Sequence, residues 1–198
     1  LVARHLELLR PQGIRNGAAL LVETASAKVR AYVGSQDFFD ENAQGQVDGV
    51  RAWRSSGSLL KPFLYALSMD AGVALPQTLL RDVPTHFGTF SPSNADGKFS
   101  GLVALEEALV RSLNVPAVRL LRAHGLYSFY HFLKNAGLKT LFRTADDYGL
   151  PLIIGGAEVN LWDMATLFRG LGAGSGAEAP AMLCRQLAHS DLRAPSAR

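Results

Sequence analysis

The chain has 198 residues, 48% of them hydrophobic and 19% charged, and its 20 basic residues outnumber 17 acidic ones for a net charge of +3. That length suits one folded domain burying roughly 70% of its unfolded surface, the composition excludes a disordered chain, and no apolar run approaches the ~18 to 20 residues of a membrane-spanning helix. The charges are scattered rather than clustered with aromatics, which excludes a nucleic-acid-binding face, and the lone Cys184 excludes an internal disulfide.

Residues 1–17 read as a linker from an upstream domain. The stretch from Leu1 to Arg10 lacks an initiator Met and a signal-peptide pattern, and it runs into Pro11 and Gly13. Ala18 to Glu23 and Val29 to Gly34 are short apolar runs separated by the polar Thr24 to Lys28, the pattern of a β-hairpin. Ser35 to Gly49 is polar and without period, an irregular connection.

The pattern then turns helical. Leu60, Phe63, Leu64, Leu67 and Ala71 recur at i, i+3, i+4, i+7 intervals and Gly72 closes the run, while Ser58, Lys61 and Tyr65 fall on the opposite face. Pro62 places the helix start close to Ser58, because proline is tolerated in a first turn and disrupts a helix interior.

A Pro- and Gly-rich loop follows through Pro76, Pro84, Gly88, Pro92 and Gly97, and a second helix is predicted from about Val103 to Arg111. A third starts after Asn114, with Pro116 in its first turn and Gly125 at its end, so Ser112 and Asn114 lie on a tight helix-to-helix turn. Further helices are legible from Tyr127 to Ala136 and from Leu161 to Leu171. Residues 18–176 therefore form one domain and residues 177–198 a weakly patterned C-terminal segment. Strands come first and helices after, an α+β order.

Ser58 and Lys61, three apart on a helix, share a face, which places a hydroxyl beside an amine. At a helix start the Ser58 N–H is an unpaired donor at the positive end of the dipole, positioned to stabilise an oxyanion. The Ser-x-x-Lys spacing alone arises about once by chance in a chain of this size, and its bland explanation is a capping serine and a solvated lysine. Ser112-Leu113-Asn114 on a downstream turn changes that. It adds a second hydroxyl to relay a proton and an amide to hold a carbonyl or the lysine, and the two elements together match two of three motifs of β-lactamases and penicillin-binding proteins. The five histidines, His5, His86, His124, His131 and His189, show no zinc-type spacing, so neither a metal nor a cofactor is expected.

The stretch from Arg54 to Leu67, with Ser58, Lys61 and the run Leu60-Lys-Pro-Phe-Leu-Tyr-Ala-Leu67, resembles the active-site serine segment of class A penicillin-binding proteins, in the form carried by their 1C branch. Arg111-Ser112-Leu-Asn114-Val-Pro-Ala-Val118 is similar to the family's second motif and the helix after it. Between them, Pro92-Ser-Asn94 and Phe99-Ser-Gly101 resemble the family's loop before that helix, and Gly155-Gly-Ala-Glu-Val159 resembles the segment that precedes its next helix. The likeness covers roughly Ala18 to Gly174.

The resemblance implies a penicillin-binding protein/serine β-lactamase-like transpeptidase fold, an antiparallel sheet with a helical subdomain. It further implies a D,D-transpeptidase on the periplasmic side of the bacterial inner membrane, with peptidoglycan stem peptides as substrates, acylation by β-lactam antibiotics and a place in a cell-wall synthesis complex. Ser58 would be the nucleophile, Lys61 the general base, Ser112 the proton relay and Asn114 a ligand of substrate and lysine. The membrane anchor and glycosyltransferase domain that the family carries upstream are not among these residues.

One departure is large: Lys-Thr/Ser-Gly, the family's third motif, does not occur, since Lys139-Thr140 is followed by Leu141. The expected fold is thus truncated before its third-motif strand, with an incomplete sheet and an uncovered edge. Without the motif's cation, Lys61 is expected to drift toward its free pKa of about 10.4, at which a neutral amine at pH 7 costs roughly 4 to 5 kcal/mol. Two other readings compete. A non-catalytic scaffold of the same fold would not react with penicillin, and a β-lactamase needs a deacylating water, for which Glu106 and Glu107 lie on the solvated part of a helix.

Overall fold

The computed structural model describes residues 1–173 of the chain, so the segment 177–198, with Cys184 and His189, lies outside the described residues. The chain divides into two compact units. Among the described residues the first comprises 1–54, 136–140 and 159–173, and the second 55–135 and 141–158.

Within the first unit, residues read as a linker form helix α1 (Val2–Leu9), which buries Leu6. Strands β1 (Ala19–Val22) and β2 (Val29–Val33) make the expected hairpin, antiparallel with Ala19 opposite Val33, Leu20 opposite Tyr32 and a bulge between Leu21 and Val22. Among the described residues this sheet has two strands only. Helix α7 (Leu161–Ala173) packs on β1, and Arg169 donates to the Thr24 carbonyl at 3.1 Å. The start of α7 is fixed by side chains: Asn160 Oδ1 accepts the Asp163 N–H at 2.7 Å, and the Arg51 guanidinium stacks 3.9 Å from the Trp162 ring centroid.

The two-residue strands β3 (Arg54–Ser55) and β6 (Glu158–Val159) lie where the chain passes between units. The second unit is built around helices α2 (Lys61–Asp70) and α4 (Asn114–His124), which pack on each other. Around them lie strands β4 (Leu79–Asp82) and β5 (Gly101–Ala104), α3 (Leu105–Val110), α5 (Leu126–Asn135), α6 (Ala145–Tyr148) and a 3₁₀ turn at Leu150–Ile154. Phe63 and Leu64 of α2, Val115, Val118 and Leu121 of α4, and Phe129 and Leu133 of α5 are fully buried and make the core. Among the described residues no helix is long and apolar enough to cross a membrane.

One expectation is corrected here. Residues from Val103 do not start a helix: Gly101–Ala104 pairs antiparallel with Leu79–Asp82, and only then does α3 begin. Four-residue strands bounded by Pro and Gly give too short an apolar run to read, and β5 enters α3 with no breaker between them. The face of α2 opposite its apolar stripe is enclosed as well, because Lys61 and Tyr65 are as buried as Phe63.

Candidate active site

The four candidate residues all belong to the second unit. Ser58 sits in the turn just before α2, one turn ahead of Lys61, whose N–H donates to the Ser58 carbonyl at 3.1 Å. That turn is held on the segment Gly155–Ala157. The Ser55 hydroxyl donates to the Gly155 carbonyl at 2.7 Å, the Ser56 N–H donates to the Ala157 carbonyl at 2.8 Å, and the Gly57 N–H donates to Ser55 Oγ at 3.2 Å. Ser58 is half-buried, and neither its hydroxyl nor its N–H makes a hydrogen bond among the described residues.

Lys61 is 1% exposed at the start of α2, where Pro62 follows it in the first turn. An ammonium carries three donors, and each finds an acceptor. Nζ donates to the Ser112 carbonyl at 2.7 Å, to Asn114 Oδ1 at 2.8 Å and to Ser112 Oγ at 3.3 Å. Ser112 can present carbonyl and hydroxyl to one amine because its backbone is left-handed, with φ of +54°. Few non-glycine residues adopt that conformation, which marks the position as constrained. Asn114 opens α4 and passes its own amide N–H to the Ser93 carbonyl at 2.8 Å.

Burial lowers the Lys61 pKa to about 8. This lies below the free value expected for it, because the low-dielectric interior of the second unit disfavours the ammonium without help from a neighbouring cation, although an amine with a pKa of about 8 is still mostly protonated at pH 7, as expected. Three acceptors oppose that effect, and burial wins. Neutralising Lys61 at pH 7 then costs about 1.4 kcal/mol rather than 4 to 5.

The structure thus joins Lys61, Ser112 and Asn114 directly and sets Ser58 one helical turn away. Ser55, Ser93 and Gly155, which also hold the site, lie in stretches that carry the family resemblance, but their contacts to the site are not legible there, because backbone groups do much of the work and leave no residue-type signal. Glu106 and Glu107 are exposed on α3, and Glu107 is paired at 3.0 Å with Arg111, far from a role as activator of water. A cavity of about 230 Å³ in the first unit, lined by Asn16, Gly34, Gln44 and Arg54 among others, contains none of the four candidates. Among the described residues no three His, Cys, Asp or Glu converge as metal ligands would.

Residues 17–182 match the family model described as the penicillin binding protein transpeptidase domain. The chain is 44% identical over 151 residues to penicillin-binding protein 1C of Escherichia coli (strain K12), covering 76% of this chain and 20% of that protein. It is 30% identical over 143 residues to penicillin-binding protein 1F of Bacillus subtilis (strain 168), covering 72% of this chain and 19% of that protein. The chain thus spans about a fifth of the length of these curated relatives. Its fold is similar to the transpeptidase domain of Burkholderia pseudomallei penicillin-binding protein 3, with a TM-score of 0.73 at 13% identity over 94% of this chain and 65% of that one. It is also similar to penicillin-binding protein 1A from Haemophilus influenzae, with a TM-score of 0.68 at 22% identity over 79% of this chain and 23% of that one.

Proposed function

Since the chain belongs to the penicillin-binding protein transpeptidase family, we propose that it is the acyl-transfer segment of a peptidoglycan synthase that cross-links stem peptides through an ester on Ser58. The observation that supports this reading best is the buried Lys61 amine, lowered to about 8 and bonded to Ser112 and Asn114 one turn from an unengaged serine. In the reading, neutral Lys61 takes the Ser58 proton, directly or through the Ser112 hydroxyl. Ser58 Oγ attacks the penultimate D-alanine carbonyl, and the oxyanion is met by the free Ser58 N–H. The carbon–nitrogen bond to terminal D-alanine breaks, with the proton passing to the leaving amine. An amine of a neighbouring stem then attacks the ester, gives up a proton to the same relay and releases Ser58. Asn114, held by Lys61 and Ser93, would hold the substrate backbone.

A β-lactam presents an amide whose opening leaves the same ester on the same serine. Action on peptidoglycan places the site on the periplasmic side of the inner membrane. The test is covalent labelling by a fluorescent penicillin of the protein expressed from its full coding sequence. Stoichiometric labelling abolished by Ser58→Ala is expected, and labelling that survives that change would sink the assignment. The 198-residue chain alone should label about 10²- to 10³-fold more slowly, because Lys-Thr/Ser-Gly and its second oxyanion donor are not among its residues.

A further inference from the structure

Helix α4 carries the site's second motif at its first residue, yet Leu113 before it provides no side-chain cap. The exposed N–H groups of a helix start need partners. They find one far away in sequence: Asn94 Oδ1 accepts the Asn114 N–H at 2.8 Å and the Val115 N–H at 3.3 Å. Asn94 Nδ2 in turn donates to Asp82 Oδ1 and to the Lys98 carbonyl, both at 2.8 Å. The other Asp82 oxygen accepts the Ser100 N–H at 2.8 Å. Asp82 is fully buried and Asn94 is 5% exposed, so neither can exchange these partners for water.

We propose that Asn94, oriented by Asp82, is a positioning residue for acylation, fixing the start of α4 so that Ser112 and Asn114 meet the Lys61 amine. The proposal rests on the function proposed above. The direction of the Asn94 amide is what matters. A buried carboxylate and a carbonyl on one side demand its two donors, which leaves Oδ1 facing α4. The first residue of that helix is thereby held from both ends, by its N–H on Asn94 and by its side chain on Lys61 and Ser93. Ser112, two residues earlier in its left-handed turn, follows. Misplacement of catalytic groups by about 1 Å costs on the order of 10²-fold in rate.

The experiment measures the rate of labelling by a fluorescent penicillin in the full-length protein. Asn94→Ala should slow it about 10- to 100-fold. Asn94→Asp should slow it as well, because two carboxylates then face each other in a buried site. Combining Asn94→Asp with Asp82→Asn should recover part of the loss. In that exchange the introduced carboxylate still accepts from Asn114 and Val115 and the introduced amide donates to it while accepting from Ser100, but the Lys98 carbonyl loses its donor. As a control for general loosening, Val103→Ala in the same hairpin should lower the melting temperature and leave the labelling rate unchanged. Wild-type labelling by Asn94→Ala, with Ser58→Ala inert, overturns the positioning role and leaves the proposed function standing. Labelling by Ser58→Ala overturns the proposed function itself. Should Asn94→Ala fail to fold, equal rates for Asn94→Asp and the exchanged pair overturn the positioning role instead.

Discussion

Lys61 Nζ meets Ser112 twice, at the carbonyl oxygen 2.7 Å away and at the hydroxyl 3.3 Å away, although the two residues lie 51 positions apart in the chain. The left-handed backbone of Ser112, at φ of +54°, turns both oxygens to one amine. Backbone and side chain of this residue can therefore be tested apart. Ser112→Gly should keep the fold, since glycine adopts this conformation freely, and should keep the carbonyl contact. It removes the hydroxyl, and loss of the proposed proton relay should slow penicillin acylation by about 10²- to 10⁴-fold. Ser112→Val should in addition lower stability by about 1 to 3 kcal/mol in a denaturant titration, because a β-branched side chain is strained at positive φ.

With Lys61 as the proposed base, its pKa of about 8 should set the pH dependence of acylation. A base works when deprotonated, so the labelling rate should rise from pH 6, pass its midpoint near 8 and level off above. Lys61→Arg, which stays protonated throughout, should be slow and flat across the same range. A midpoint near 10 would show that the lysine is solvated in the working protein.

The same burial links stability to pH. Lys61 has a folded pKa of about 8 against 10.5 when free, so the unfolded chain binds the extra proton between those values. Stability therefore rises with pH across that window, and the penalty is fully present below 8. Relative to Lys61→Met, the wild type should gain about 3 kcal/mol between pH 8 and 10.5 in parallel urea titrations. Parallel curves would count against desolvation as the cause.

Gly155 supports the turn that carries Ser58. Its φ is +111°, and a Cβ there would stand 2.7 Å from Ser55 Oγ and 3.2 Å from Gly57 Cα. Gly155→Ala should displace the turn that carries Ser58, lowering the acylation rate by about 10²-fold and stability by about 1 to 3 kcal/mol. Gly72→Ala, also at positive φ but with open space around its Cβ position, should cost stability without that loss of rate.

Local chemistry made much of this protein legible from its residues. The hairpin from Ala19 to Val33 follows from two β-prone runs around a polar turn, the start of α2 from Pro62, and the start of α4 from Asn114 and Pro116. The pairing of Ser58 with Lys61 on one helical turn, and the turn that carries Ser112 and Asn114, are likewise matters of short-range spacing. Tertiary structure alone decided the electrostatics and the joints. Lys61 and Tyr65 lie off the apolar stripe of α2, yet packing buries both, and that burial rather than any neighbour in sequence lowers the lysine's pKa. The β4–β5 hairpin, the hold of Gly155 on the Ser58 turn and the cap that Asn94 places on α4 join segments about 20 to 100 residues apart. Hydrogen bonds of that kind depend on where a backbone group ends up in space, and a backbone group is the same in every residue type, so the sequence carries no mark of which partner it will find.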